Sequence, residues 1–247
     1  MRIIYIYVLL LSFFITSCGK KEAVTEQKPK TDTVSKKTDI PNDGIKSAGN
    51  EEKQDGITDL KFDAKEYEKD ISIKGSIVAS AQWKDKAGLN VFVITETKPV
   101  TTKTNDYDES ISKRLYAYVF VKNEDNKFKQ VWVIEDFIDK CQVDLTLSYI
   151  LKSLSITDLN KNGIAETTFL YKMSCKGDVS PNDLKLMMHE GKEKYAIRGE
   201  TTIKFPNGET YGGSMKVDKS FDAAPKEFLD YASKEFRKHQ EEKLNVD

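Results

Sequence analysis

The chain has 247 residues, 32% of them charged, and its 39 basic and 40 acidic side chains leave a net charge of −1. Such a balance, with lysines scattered rather than clustered, lacks the basic stripe that nucleic acid calls for. Past the N-terminus no stretch approaches the run of about 20 apolar residues that a membrane helix needs.

In chain order, the first element is a leader. Met1-Arg2 supplies one positive charge, Ile3–Ile15 is apolar, and Thr16-Ser17-Cys18 follows. A charged start, a short apolar core and small residues before a cut describe a secretory signal over residues 1–17. Ile15-Thr16-Ser17-Cys18 resembles the bacterial lipobox, which implies a diacylglyceryl Cys18 and anchoring to the bilayer through acyl chains. Two or three chains are needed for stable attachment, since each methylene contributes about 0.8 kcal/mol. The start Gly19-Lys20-Lys21-Glu22-Ala23 is a poor match to an acidic surface-export tag, so the expected location is the outer membrane, facing the periplasm. Residues 18–56 carry no aromatic side chain and read as a lipidated cysteine on a disordered tether.

Residues 57–247 read as a single β-rich domain, within ordinary domain size. Ser72–Trp83 and Leu89–Thr97 flank a five-residue turn ending in Gly88 and predict a hairpin. Leu115–Val121 puts aromatic and β-branched residues on both faces, and the polar Asn123–Asn126 joins it to Phe128–Ile134 as a second hairpin. Asp144–Ser153 fits a strand or a short helix. Leu154–Thr157 and Ala165–Met173 flank the loop Asp158–Gly163. Leu184–His189, Tyr195–Lys204 and Glu209–Val217 read as a meander, with Gly212-Gly213-Ser214 as a bulge inside its last strand. Residues 225–244 read as a closing helix, with Pro225 at its first position and Phe228, Leu229, Ala232 and Phe236 on its apolar side. The fold class expected is mainly antiparallel β with that helix packed on the sheet.

The sharpest local motif is Asp158-x-Asn160-x-Asn162-Gly163, followed by Glu166. Oxygens at alternate positions, with Gly at the sixth, suit a curling backbone around a hard cation. The twelfth position is Phe169, so this is not an EF-hand, and Glu166 at the ninth resembles the calcium loops of FG-GAP-type repeats. One weakly held structural calcium would then meet Asp158, Asn160, Asn162, the Ile164 carbonyl and Glu166. The same residues equally describe an Asx-turn with Asn162-Gly163 at positive φ. Once Cys18 is set aside, Cys141 and Cys175 are an even pair, and an exported protein joins such a pair as a disulfide.

Catalytic motifs do not emerge. His189 and His239 are the two histidines, neither with a His or Cys partner three or four residues away, and the nucleophile elbow, phosphate loop and dinucleotide fingerprint are missing. Acidic pairs such as Glu135-Asp136 are too common to signal glycosidase chemistry. Tyr116, Tyr118, Trp132 and Tyr211 are candidates for stacking on sugar, each also readable as an ordinary strand residue.

Three stretches of this sequence resemble a family of Bacteroidota lipoproteins labelled surface polysaccharide biosynthesis proteins. They are Trp83–Asn90 with Leu115–Tyr118, Ile156–Glu166, and Cys175–Pro181 with Leu184–Glu190 and Lys194–Gly199. The resemblance implies a non-catalytic envelope role through glycan or protein binding, and it carries no active site across. An envelope glycan hydrolase or transferase with an unrecognised site is the alternative.

Overall fold

The computed structural model describes residues 56–103 and 109–242; the leader, Cys18, the tether before Gly56 and the last residues expected in the helix lie outside the described residues. The first half of the domain makes one antiparallel sheet of six strands, β1 (Thr58–Lys61), β2 (Ser76–Asp85), β3 (Gly88–Glu96), β4 (Val100–Lys103), β5 (Glu109–Lys122) and β6 (Phe128–Cys141). Their order is β1-β2-β3-β5-β4, with β6 beside β5. The expected hairpins are present. The turn between β2 and β3 is only Lys86-Ala87, closed by the Asp85–Gly88 pair, with Gly88 at φ 114°. Both β5 and β6 run to 14 residues, longer than their apolar cores predicted, because their far halves are rich in charged side chains.

The second half follows as β7 (Leu145–Tyr149), β8 (Ser155–Thr157), β9 (Glu166–Cys175), β10 (Asp183–Glu190), β11 (Glu193–Glu200), β12 (Thr202–Lys204), β13 (Thr210–Gly212), β14 (Met215–Val217) and, after the helix, β15 (Glu241–Glu242). The open choice at Asp144–Ser153 resolves as strand β7. A second six-stranded sheet has the order β14-β11-β10-β9-β7, with β8 also on β9; β12, β13 and β15 form a small third one.

The expected meander is broken twice. Tyr195–Lys204 divides at Thr201 between two sheets, and Glu209–Val217 divides at Gly213, so Gly212-Gly213-Ser214 is a crossing between sheets rather than a bulge. Close backbone approach explains the glycines. A Cβ on Gly212, which has φ 83°, would lie 2.3 Å from the Thr201 carbonyl oxygen, and one on Gly199 would lie 2.0 Å from that of Ser214. No side chain fits at either place.

Alternation along each strand sorts the side chains into layers. Ala81, Trp83, Phe92, Ile94, Leu115, Ala117 and Val119 of the first sheet meet Leu147, Phe169, Tyr171, Met187 and Ala196 of the second in a shared interior. Val91, Val93, Tyr116, Tyr118 and Phe120 point the other way, under the segment carrying Ala64 and Ile71. Leu170, Leu184, Leu186, Met188 and Ile197 back the second sheet, and the helix lies there. This helix, α1, spans Lys226–Lys238 and sinks Phe228, Ala232 and Phe236 at i, i+4 and i+8. Each fully buried Phe is worth roughly 1.5–3 kcal/mol.

The helix is shorter than the expected 225–244. Pro225 is its N-cap and His239 its C-cap. Beyond it the Gln240 side chain donates to the Glu200 and Ser214 carbonyls, and Glu241-Glu242 turns into β15 beside β12. His239, expected on the exposed face, is half-buried at the cap, 3.8 Å from Glu235. The ends of β6 and β9, one in each sheet, are joined by the Cys141–Cys175 disulfide, with Cα atoms 5.6 Å apart, as parity and compartment predicted.

Candidate functional site

Rows of directly opposed residues cross each sheet, and at one end of the sandwich three of them enclose a cavity. In the first sheet the outermost row is Trp83–Asn90–Val121–Lys129, with Val119–Trp132 behind it. In the second sheet the facing row is Thr167–His189–Lys194. Opposed residues project from the same face of their sheet, and here that face is the interior. The space left between them is a cavity of about 310 Å³, lined chiefly by Trp83, Val119, Val121, Trp132, Thr167 and His189. That is the small end of the range for ligand-binding cavities, about 300–1,000 Å³.

Asp85 braces its wall. One carboxylate oxygen accepts from the Ala87 amide (2.8 Å) and the Asn90 side chain (2.9 Å). The other accepts from the Trp83 indole N–H (2.9 Å) and the Ala165 amide (3.0 Å). Four donors occupy the group, and the last of them ties the β2–β3 turn to the second sheet. The Lys86 amide adds a bond to the Gly163 carbonyl at 2.9 Å.

His189 lies flat on Trp132, ring centres 4.0 Å apart and planes 17° from parallel. Burial, helped by the charge of Lys194, pushes its pKa down to about 3, so the ring is neutral at ordinary pH. Its Nδ1 and the Thr167 hydroxyl are buried without a hydrogen-bond partner among the described residues. An unmet buried polar atom costs about 1–3 kcal/mol. Both belong to residues that line the cavity. As acid–base machinery the cavity is poor, since the carboxylate in its lining has both oxygens occupied and the imidazole binds a proton only in strong acid.

The Asp158–Glu166 loop borders the cavity through Ile164 and Ala165. Its side chains close the loop on itself. Asp158 Oδ2 accepts from the Gly163 amide, Asn160 Oδ1 from Asn162, and Asn162 Oδ1 from Ile164, at 2.9, 3.0 and 2.7 Å. Both asparagine amides donate to Glu190 Oε1, at 2.7 and 2.6 Å, and the Lys86 ammonium donates to the Asn162 carbonyl. Glu166 Oε2 accepts from the Leu159 amide and the Thr157 hydroxyl, both at 2.9 Å. Burial pushes the pKa of Glu166 up to about 7. Asp158 Oδ1 and Glu166 Oε1 remain buried and unpartnered among the described residues. Among the described residues no group of three or more His, Cys, Asp or Glu side chains is placed to hold a metal ion. Any cage would therefore rest on two carboxylates with amide and carbonyl oxygens.

The stacking candidates separate. Trp132 belongs to the cavity, Tyr116 and Tyr118 are buried beneath the Ala64–Ile71 segment, and Tyr211 is exposed on the third sheet. Of the acidic pair, Glu135 holds Arg114 at 3.0 Å, and Asp136 accepts from Tyr171 and Lys185 in the opposite sheet. Trp83, Asp85 and Thr167 were not singled out in the sequence. The one available hint is Trp83-x-Asp85, an indole and a carboxylate on the same face of a strand beside its turn.

No protein-family model, no curated protein and no solved structure matches the chain.

Proposed function

We propose that the chain is an envelope lipoprotein whose domain binds one sugar unit of a surface glycan in the cavity between its sheets, in support of polysaccharide assembly or display. The observation that carries this is the union of two tryptophans with the buried, unpartnered His189 Nδ1 and Thr167 hydroxyl in one cavity. Apolar walls suit the C–H faces of a sugar, and the unmet polar atoms suit its hydroxyls. The occupied Asp85 and the neutral His189 favour binding over hydrolysis or transfer.

A glycan array probed with the full chain tests it directly. Wild type should retain a defined set of glycans and Trp132→Ala should lose them by tenfold or more; equal retention by both proteins rejects the cavity as the site. Deleting the gene and comparing surface polysaccharide by gel and lectin staining tests the process, which an unchanged profile removes. Export and attachment rest on Ile15–Cys18, outside the described residues: Cys18→Ala should leave the membrane fraction or stay unprocessed.

The neighbouring loop supports a structural proposal of its own, one weakly held calcium ion against the unpartnered Asp158 Oδ1 and Glu166 Oε1. Ligand binding to the folded state raises stability by RT ln(1 + [L]/Kd). Melting in about 10 mM calcium against chelator should show a shift that Asp158→Ala abolishes. Superimposable melts return the loop to a hydrogen-bonded turn.

A further inference from the structure

We infer that the sugar taken by this cavity carries an anionic group, a carboxylate or a phosphate, which Lys129, Lys192 and Lys194 meet at the rim. This rests on the reading of the cavity as a glycan site.

The register places the lysines. Lys129 ends the first-sheet row that begins at Trp83, and Lys194 ends the second-sheet row that contains His189, so the two ammonium groups belong to facing inner surfaces. Lys192 lies in the tight turn between β10 and β11 and lines the cavity with Lys129. All three are exposed, and none forms an ion pair among the described residues, although eleven Lys or Arg ion pairs form elsewhere in the domain.

The nearby acids are committed or face away. Asp85, the carboxylate in the lining, holds four donors. Glu190 and Glu193 alternate with His189 and Lys194 and so project from the opposite face. Glu190 is further occupied by Asn160 and Asn162. His189 is neutral and adds no charge of either sign. The rim therefore carries positive charge with no internal counter-ion, around a mostly apolar interior whose free polar groups are uncharged. A neutral sugar would use the interior and leave the lysines idle. A sugar with one negative group uses both, because its ring reaches His189 and Thr167 while the charge stays at the wet edge, where charge-assisted hydrogen bonds form without burying an ion.

The test compares glucose, glucuronate and glucose 6-phosphate by saturation-transfer NMR and calorimetry on the full chain, with wild type, the double variant Lys192→Ala/Lys194→Ala and Trp132→Ala. Wild type should bind at least one anionic sugar about tenfold more tightly than glucose, the difference expected of a charged over a neutral hydrogen bond. That advantage should shrink in 0.5 M salt or so. Whether the carboxylate or the phosphate wins names the source of the charge. The double variant should keep glucose affinity and lose the preference, and Trp132→Ala should lose all three ligands. Equal binding of glucose and both anionic sugars by wild type overturns the inference and leaves the glycan site standing. A preference that survives in the double variant, and still survives when Lys129→Ala is added to it, also overturns it. No binding of any sugar by folded wild type removes the glycan reading, and the inference with it.

Discussion

The two ends of the sandwich interior are built on opposite principles. Towards Cys141 and Cys175 the sheets are bolted together. The disulfide is there, Asp136 accepts from Tyr171 (2.9 Å) and Lys185 (2.5 Å), and Glu96 of the first sheet accepts from the Tyr149 amide at 2.8 Å while paired with Lys113. Towards the β2–β3 turn the sheets splay around a cavity. Of the eight buried polar side-chain atoms without a partner among the described residues, five belong to Asp158, Glu166, Thr167, Thr168 and His189, all near this end, with Thr167 and His189 on the face turned to the interior. Stability is concentrated at one end and unmet hydrogen-bonding capacity at the other. Functional sites commonly carry such local costs, which the surrounding structure offsets.

Three experiments break or sharpen that contrast. The largest effect belongs to the bolted end. Replacing both Cys141 and Cys175 by Ala removes a link spanning 34 residues. That should cost about 4 kcal/mol in the chain-entropy model, measured by urea unfolding. Sugar binding by the fraction that stays folded should be unchanged; a loss of affinity would show that the two ends are coupled.

The second effect is a pH dependence confined to the open end. His189 has a folded pKa of about 3 against an ordinary value of 6.5. Between those values the unfolded chain binds the proton and the folded one does not. The stability tied to the neutral ring is thus complete above pH 6.5 and drains as the pH falls towards 3. One proton corresponds to about 1.4 kcal/mol per pH unit, so the His189 contribution, read as the difference between wild type and His189→Phe, should fall by roughly 2–3 kcal/mol between pH 6 and 4; Glu166, whose raised pKa acts in the opposite sense, cancels in that difference. His189→Phe should remove the His189 contribution and leave that of Glu166. An unchanged slope in the variant would assign the acid sensitivity to other groups.

The smallest effect is the most diagnostic. Thr167→Val replaces an unpartnered buried hydroxyl by a methyl group of similar size. It should stabilise the fold by about 1 kcal/mol while weakening sugar binding. A destabilised variant with full affinity would show that the hydroxyl serves packing alone.

Much of the fold was legible because local rules governed it. The β2–β3 hairpin and the β5–β6 pair announce themselves by apolar runs around polar turns, the helix by Phe228, Ala232 and Phe236, and the disulfide by parity. What escaped depended on distance. The switch between sheets at Thr201 and Gly213 follows from backbone approach by segments that no periodicity encodes. Tyr116 and Tyr118 were readable either as sugar-stacking aromatics or as ordinary strand residues, because the residues covering them, Ala64 and Ile71, belong to a segment without regular pattern. The cavity was least legible. Trp83, Trp132, Thr167 and His189 come from four strands in two sheets, and each alone reads as an ordinary strand residue. His189 was noticed only for its rarity. Its stacking on Trp132 requires both registers at once.

The division of the sheets along the sequence bears on how the protein is made. Every strand of the first sheet precedes residue 142 and every strand of the second follows it. Synthesis at about 5–20 residues per second leaves an interval on the order of several seconds between completion of Cys141 and arrival of β14. Through that interval Trp83, Phe92, Ile94 and Leu115 form an apolar face whose cover, Leu147, Phe169 and Met187, does not yet exist. The nascent half-sandwich is the aggregation-prone species of this chain, and it is the one a chaperone has to hold.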